Sequence, residues 1–385
     1  SINIITMNAN NILDYLKDNQ KRISKTSEIT ELDELAFARI SYLPFHKIKK
    51  QLDLTKRNFK ISEIADAMRG LSTSDFAWPE DEKFIQLLGQ SSHFQNLKVG
   101  FFVRKNNKQL EKQFSAVTIQ INFFTMYVSF FGTDGTLFGW KEDFNMSFLP
   151  EIPAQKEALE YLNNISRRYF YKNFYLGGHS KGGNLSIYSA IMAPDRLQKR
   201  ILKVLDYDGP GLREELLSKD AGAIKILPKI VSYIPEGSVI GRLLTHKEKV
   251  VVVKSQAKNL YQHDIYTWEI KGKNFCRAKN TKLSDILNKT VDDFLASASP
   301  EELRFFMDGI FEVFEKSDVE EPVSLMQNWQ KYAPKLMKNY RELPKERREK
   351  INEVWLLFGN SLVKNYFAEN EILKKARQIL GGKNA

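Results

Sequence analysis

One five-residue segment constrains the fold of this chain more than any other: Gly178-His179-Ser180-Lys181-Gly182, which has the pattern G-x-S-x-G. An apolar stretch from Phe174 to Leu176 precedes it, and the pattern from Gly182 to Met192 predicts a helix. A serine at a sharp strand-to-helix turn is held in a strained backbone conformation with its hydroxyl projecting above the sheet. The small residues on either side leave room where side chains would strike the neighbouring strand or helix. Ser180 is therefore our candidate nucleophile.

The chain around this turn alternates between strand and helix patterns. Short apolar or alternating runs predict strands, and a 3.6-residue spacing of apolar side chains predicts a helix from Ala154 to Tyr169. The predicted strands are Val99–Val103, Phe114–Ile121, Phe124–Phe131, Asn173–Leu176, Ile201–Tyr207 and Val250–Lys254. Strands that alternate with helices predict an α/β protein with a mostly parallel central sheet flanked by helices.

The sequence divides into three regions by pattern. Residues 1–98 are mostly helical, and we expect them to pack on the core. Residues 99–275 hold the predicted strands. Residues 276–385 return to helical patterns, which predict a cap, a lid or a packing subdomain, and we favour packing on the core.

Composition excludes several classes of protein. The chain has 385 residues, of which 42% are hydrophobic and 27% charged, so it is neither disordered, collagen-like nor a disulfide scaffold. Cys276 is the single cysteine, and the first residues lack the basic flank and apolar run of a signal peptide. The most apolar stretch is far too short to span a bilayer. We therefore predict a cytoplasmic protein.

A serine nucleophile needs a base, and the chain has five histidines. His46 and His93 lie in the N-terminal helical region, and His179 adjoins the serine, so we expect its ring to point elsewhere. In a fold with this kind of turn the base follows the last core strand. His263 follows the strand that begins at Val250, whereas His246 precedes it. We therefore predict His263 as the base.

Two carboxylates compete for the acid that orients the base. Asp208 follows the strand that ends at Tyr207, and ligand and catalytic groups gather at this end of parallel strands. Glu236 lies on a later loop and is the alternative. Asp264 is adjacent to His263 in the chain and is poorly placed to reach its ring. The sequence leaves Asp208 and Glu236 both open.

The negative oxygen that forms during acyl transfer needs two N–H donors. The residue after the nucleophile, Lys181, supplies one of them. The glycine-rich segment after the strand at Phe124 contains Thr133, and we predict that its backbone N–H and hydroxyl supply the other.

These motifs resemble those of class 3 lipases. The run Val128–Thr133, V-S-F-F-G-T, resembles their F-R-G-T segment, and Gly178–Gly183 resembles their G-H-S-x-G-G turn. The segment Tyr261–His263, with Trp268 after it, resembles their catalytic histidine segment. The longer strings are more similar still to an uncharacterised bacterial, lipase-related family that carries G-H-S-K-G-G-N, D-G-P-G and Q-H-D.

The resemblance implies an α/β-hydrolase fold and ester hydrolysis. Phe131 stands where class 3 lipases have an arginine, and the segment Glu236–Arg242 lacks the aspartate that those lipases use as the triad acid. Either Glu236 substitutes for it, Asp208 takes its role, or the triad is incomplete.

Three functions fit these observations. The first is a serine esterase or lipase-like hydrolase that forms an acyl-enzyme on Ser180 and needs neither metal nor organic cofactor. The second is an acyltransferase or thioesterase, which would use the same residues. The third is a non-catalytic relative that binds a lipid or protein partner. The net charge of +11 and the basic run from Lys331 to Lys350 suggest contact with an anionic membrane surface. No nucleic-acid motif accompanies the charge, so we expect no nucleic-acid partner.

Overall fold

The computed structural model describes residues 9–17, 28–107, 109, 112–133, 137–219, 221–319 and 329–369. The chain forms two compact units. The first consists of Ser1–Asp134 and Glu151–Lys279, and the second of Gly135–Pro150 and Asn280–Ala385. The helical N-terminal region therefore belongs to the same unit as the predicted strands, and a short insertion after the strand at Phe124 belongs with the C-terminal helices.

The first unit is built on an eight-stranded sheet whose spatial order follows the chain order. Its strands are β1 Phe59–Lys60, β2 Lys98–Asn107, β3 Lys112–Gln120, β4 Thr125–Phe130, β5 Asn173–His179, β6 Ile201–Tyr207, β7 Ile230–Pro235 and β8 Lys249–Val253. A second, two-stranded sheet pairs β9 Ile270–Lys271 with β10 Asn274–Phe275. Strands β1 to β4 pair antiparallel, and β4 to β8 pair parallel.

Helices connect the parallel strands and make up the second unit. They are α1 Ile12–Lys17, α2 Glu31–Ile40, α3 Ile61–Met68, α4 Glu80–Gln90, α5 Leu137–Asn145, α6 Pro153–Arg168, α7 Lys181–Ile191, α8 Asp195–Gln198, α9 Glu214–Lys219, α10 Ala221–Ile226, α11 Lys282–Ser297, α12 Pro300–Lys316, α13 Trp329–Glu342 and α14 Lys345–Glu369. With a mostly parallel sheet flanked by helices and Ser180 at the β5–α7 turn, the first unit has the α/β-hydrolase fold.

Burial explains the strand patterns. Every residue of β4 is buried, because helices cover both faces of the sheet there, and the strand is a continuous apolar run apart from Thr125 and Ser129. Strand β8 contains four consecutive valines although it is the sheet's last strand, and its Val250 is exposed. Strand β7 was not predicted, because its sequence is short and ends in Pro235, which is typical of a loop.

Helices α1 to α4 pack on the sheet through one large apolar core, which also contains Trp268 and Tyr266 from the segment after His263. A buried ion pair lies within it. Arg39 of α2 binds Asp81 of α4 in a two-point contact, with both N–O distances at 2.6 Å and both side chains fully buried. The Tyr266 hydroxyl also donates to Asp81, at 2.7 Å. The ion pair therefore links two N-terminal helices to the segment that follows His263.

The second unit has an apolar core of its own. It combines Phe148 from the insertion with apolar residues of α11 to α14, including Phe294, Leu303 and Ile351. Helix α14 packs on this core through Ile351 and Val354, whereas its Trp355 is about half exposed. Within the described part of the chain, no helix is long and apolar enough to cross a membrane.

The buried Arg39–Asp81 pair yields a stability prediction. Asp81→Ala leaves the Arg39 guanidinium buried without its counter-charge, and we expect the free energy of unfolding to fall by about 3–5 kcal/mol. Asp66→Ala is the matched control, because it removes an ion pair with Arg69 in which both side chains are about two-thirds exposed. We expect no measurable change there. Urea unfolding of the three proteins tests this, and an equal effect of both substitutions would contradict it.

Candidate active site

Ser180 lies at the turn between β5 and α7 and has strained backbone angles. Its φ is 58° and its ψ is −132°, a backbone conformation that residues other than glycine seldom adopt. A hydrogen bond from the Ser180 N–H to the carbonyl of Tyr207 on β6, at 2.9 Å, helps to hold the turn. The sequence pattern predicted a sharp turn at this serine, and the structure has one.

Close backbone packing explains two of the glycines. A Cβ atom at Gly178 would lie 2.4 Å from the carbonyl carbon of Gly182, and one at Gly182 would lie 2.2 Å from the carbonyl oxygen of Phe130. Real Cβ atoms do not approach backbone atoms so closely. Only glycine at both positions therefore allows β4, β5 and α7 to meet beneath the serine.

The two residues predicted to hold the negative oxygen are Lys181, which adjoins Ser180 in the chain, and Thr133, which adjoins a residue packed against it. Lys181 is the first residue of α7. Thr133 follows Gly132, where a Cβ atom would lie 3.2 Å from the Ser180 Cβ. The segment after β4 is thus packed against the turn at Gly132.

His263 and Asp208 are brought together by the fold although they lie 55 residues apart. The His263 Nδ1 lies 2.6 Å from the Asp208 Oδ2. Asp208 directly follows β6, is fully buried and has a φ of 54°. Its other oxygen, Oδ1, accepts a 2.5 Å hydrogen bond from the Ser238 hydroxyl. Both oxygens of the carboxylate are therefore fixed.

Glu236 is not joined to His263. It directly follows β7, and its backbone N–H donates to the carbonyl of Val253 at 3.0 Å. Ser238, two residues later in this loop, donates its hydroxyl to Asp208. The lipase-like segment at Glu236–Arg242 thus contributes a hydroxyl to the candidate acid.

Three of the other histidines are engaged elsewhere or lie on the surface. His46 is in the exposed loop after α2, where partial burial and then the charge of Arg104 lower its pKa. His93 contacts Asp33 at 3.0 Å. His246 Nδ1 lies 2.6 Å from Glu248 Oε1.

His179 has a contact that sequence reasoning missed. Its Nε2 donates to the backbone carbonyl of His263 at 2.8 Å, and the two imidazole rings are 4.4 Å apart. The Tyr42 hydroxyl lies 3.1 Å from both the Nδ1 and the carbonyl oxygen of His179. Burial, followed by the nearby His263 and Arg39, holds the pKa of His179 well below its usual range. His179 is therefore a neutral donor that holds His263.

Two further contacts fix the segment around His263. The Trp268 Nε1 donates to the carbonyl of Gln262 at 2.8 Å, and the Gly237 N–H donates to the Gln262 side-chain oxygen at 2.8 Å. The sequence contained a signal for these residues, because the Q-H-D motif and its nearby tryptophan include both Gln262 and Trp268. It gave no signal for Ser238 or Tyr42.

The structure does not join Ser180 to His263 directly. Among the described residues Ser180 Oγ has no hydrogen-bond partner, and only 8% of the residue is exposed. His263 nevertheless lies against the ring of His179, the residue before the serine. Catalytic hydrogen bonds are often long before substrate binds and shorten in the complex.

One group of described residues has the chemistry of metal ligands: Asp206, His246 and Glu248, whose ligand atoms all lie within 4.8 Å of one another. The Glu248 Oε1 is already bonded to His246 Nδ1 and to the Ser232 hydroxyl, both at 2.6 Å. Burial, with the neighbouring Glu248, raises the pKa of Asp206 well above its usual range. Because His246 and Ser232 already engage Glu248, we assign the group no metal.

Comparison with solved structures finds fungal lipases. A Rhizomucor miehei lipase in complex with its propeptide matches 61% of this chain and 73% of that chain, with 12% identity and a TM-score of 0.37. The Lip2 lipase of Yarrowia lipolytica matches 48% of this chain and 72% of that chain, with 11% identity and a TM-score of 0.28. Likenesses as weak as these do not bear on activity.

The curated proteins contain no match to this sequence. A family model does match: the model described as Mbeg1-like covers residues 88–312, which is more than half of the chain and includes Ser180, Asp208 and His263. The chain therefore belongs to the Mbeg1-like family.

Proposed function

We propose that this protein is a serine hydrolase that cleaves carboxylic esters, with Ser180 as nucleophile, His263 as base and Asp208 as the acid. The observation that carries the proposal is the 2.6 Å contact between His263 Nδ1 and Asp208 Oδ2 beside a strained serine turn. A nucleophile, a base and a third group that orients the base are the parts that acyl transfer requires.

In the proposed reaction the Ser180 oxygen attacks the acyl carbon while His263 Nε2 takes the hydroxyl proton. The tetrahedral intermediate collapses, the bond to the leaving alcohol breaks, and His263 returns the proton to that alcohol. Water then attacks the acyl-enzyme in the same way and releases the carboxylic acid and free Ser180. Asp208 accepts a hydrogen bond from His263 Nδ1–H and stabilises the imidazolium that forms.

We assign the acid role to Asp208 and keep Glu236 as the alternative. Asp208 has the contact with His263, and Ser238 engages its second oxygen, which leaves Oδ2 for the base. The negative oxygen of the intermediate binds the backbone N–H groups of Lys181 and Thr133. Lys181 directly follows the serine, and Thr133 directly follows Gly132, which packs against it.

The proposal includes a cellular location and a substrate class. We place the protein in the cytoplasm, since a chain with the single cysteine Cys276 cannot form an intrachain disulfide. We also propose that it is related to the bacterial family whose motifs it resembles. The substrate is a small-molecule or lipid ester. An acyltransferase or thioesterase would use the same side chains with another acceptor or leaving group.

A non-catalytic relative that binds a lipid or protein partner is the second candidate. The observation that favours it is the low exposure of Ser180, together with the absence of a hydrogen bond from its hydroxyl to any described residue. A chemically reactive serine separates the two candidates.

Covalent labelling is the first test. We expect a fluorophosphonate to add once to the wild-type protein and not to Ser180→Ala, because only an activated serine attacks the phosphorus. Intact-mass measurement counts the adducts, and circular dichroism confirms that both proteins are folded. No adduct on the folded wild type would favour the non-catalytic candidate. If the wild type is labelled, fresh unlabelled wild-type protein is then screened on p-nitrophenyl esters of different chain length.

Paired substitutions distinguish the two candidate acids. Asp208→Asn removes the acceptor for His263 Nδ1–H, and we expect kcat on the best ester of the screen to fall by about 10³- to 10⁴-fold. Glu236→Gln is the matched control and should leave kcat unchanged. Thermal unfolding checks that both variants fold. If Glu236→Gln instead gave the large loss, Glu236 would be the acid.

The low pKa of His179 predicts a pH dependence of stability. Below pH 6.5, the ordinary pKa of histidine, the unfolded chain binds a proton that the folded chain does not, so His179 destabilises the fold as the pH falls. His179→Gln keeps an N–H donor for the His263 carbonyl and cannot titrate. We expect the stability gap, taken as the free energy of unfolding of wild type minus that of the variant, to fall from pH 8 to pH 5.5. Urea unfolding at both pH values measures it, and a constant gap would contradict the assignment.

A further inference from the structure

Four aromatic side chains are exposed together at the end of the sheet where strands β4 and β5 begin. Phe123 is 65% exposed, Phe124 63%, Phe170 75% and Tyr171 45%. Phe123 contacts Phe124 and Tyr171 with ring centroids 4.9 and 5.6 Å apart, and Phe170 contacts Tyr171 at 5.6 Å. We call these four residues the aromatic patch. Contiguous apolar surfaces of this kind mark interaction sites on soluble proteins.

The aromatic patch is held in place by a buried lysine. Phe123 and Phe124 lie in the turn before β4, and Phe170 and Tyr171 lie in the loop before β5. The Lys172 ammonium donates to the carbonyls of Asn122 and Phe123, and it lies 5.4 Å from the ring centre of Phe123 and 5.3 Å from that of Tyr171. The two loops are thus fastened together, so the rings are presented as a formed surface.

Basic side chains are frequent in the chain segments next to the aromatic patch. Between residues 166 and 173 there are three basic residues and no acid, and between 196 and 203 there are four basic residues and no acid. Of these seven, Lys172 is buried and Lys203 is paired with Glu34. Lys60 and Lys98 lie at the same end of the sheet, because Lys60 pairs with Lys98 and Lys98 pairs with Gln120, the last residue of β3. Arg167, Arg168 and Lys199 are exposed and form no salt bridge with a described residue.

We propose that the aromatic patch and its basic rim bind the surface of an anionic phospholipid membrane. Aromatic rings settle at the level of the lipid head groups, and lysine and arginine beside them are attracted to anionic lipid. The overall charge of +11 acts in the same direction. The patch is favoured over the basic run of α13 and α14, because three lysines of that run, Lys338, Lys345 and Lys350, already lie near acids four residues away.

The bound orientation follows from strand β5. The patch lies where β4 and β5 begin, whereas Ser180 directly follows the end of β5. Seven residues of strand span roughly 20 Å. The serine therefore faces away from the docked membrane, and its substrate reaches it from the aqueous side. The membrane binding does not depend on the proposed hydrolase activity.

Vesicle sedimentation tests the proposal with defined lipids. We expect wild type and Ser180→Ala to bind phosphatidylcholine vesicles that contain phosphatidylglycerol, to bind weakly to pure phosphatidylcholine, and to lose binding at high salt. Phe123→Ser/Phe170→Ser should bind at least about tenfold more weakly, since it removes two of the anchoring rings. The matched control is Leu356→Ser/Val363→Ser, which replaces two exposed apolar residues of α14, 65% and 55% exposed.

The controls make each outcome decisive. If the α14 variant lost binding and the patch variant kept it, or if wild type did not bind at all, the proposal would be overturned. Arg167→Glu/Arg168→Glu tests the rim separately, so a patch variant that fails to fold does not end the test. Phe123→Trp and Tyr261→Trp test the orientation with brominated lipids. We expect quenching of the added tryptophan at position 123 and none at position 261, beside His263, and the reverse pattern would contradict the orientation.

Discussion

The close approach of two strands and a helix beneath Ser180 is the constraint on which the rest of this site depends. Strand β4, strand β5 and helix α7 meet where Gly178 and Gly182 leave no space for a side chain. At the turn between β5 and α7, Ser180 takes a positive φ. The same packing brings the segment after β4 against the serine. The proposed nucleophile and the proposed oxyanion donors are therefore positioned by one piece of backbone geometry.

The part of the site that contains His179 and His263 is held in place by the N-terminal helical region. Tyr42, from the segment after α2, contacts His179, and His179 holds the carbonyl of His263. Arg39 stacks on Trp78 and Tyr42 at 4.0 and 4.2 Å and binds Asp81, which also receives the Tyr266 hydroxyl. The helical N-terminal region thus has a definite role, because it fixes the loop that carries the proposed base. A substitution in α2 or α4 can therefore disturb the site without touching the serine.

The proposed site and the proposed membrane surface lie at opposite ends of the central strands. Polar side chains collect after the ends of β5, β6 and β7, where Ser180, Asp208 and Ser238 lie. Aromatic and basic side chains collect before the beginnings of β4 and β5. An enzyme docked in this way would be retained at a membrane while acting on esters from the aqueous phase.

The sequence by itself determined the local structure around the serine and most of the core strands. Apolar runs bounded by polar residues located β6 at its observed residues and β5 from its first residue, because burial on both faces of a parallel sheet demands such runs. The sequence also narrowed the base to His263 and the acid to two carboxylates. It could not choose between Asp208 and Glu236, since both follow strands of the same sheet. Only the tertiary structure placed Asp208 against His263, brought Ser238 and His179 to the site and gathered Phe123 with Phe170. Contacts between residues tens of positions apart depend on how strands pair and loops cross, and no local pattern carries that information.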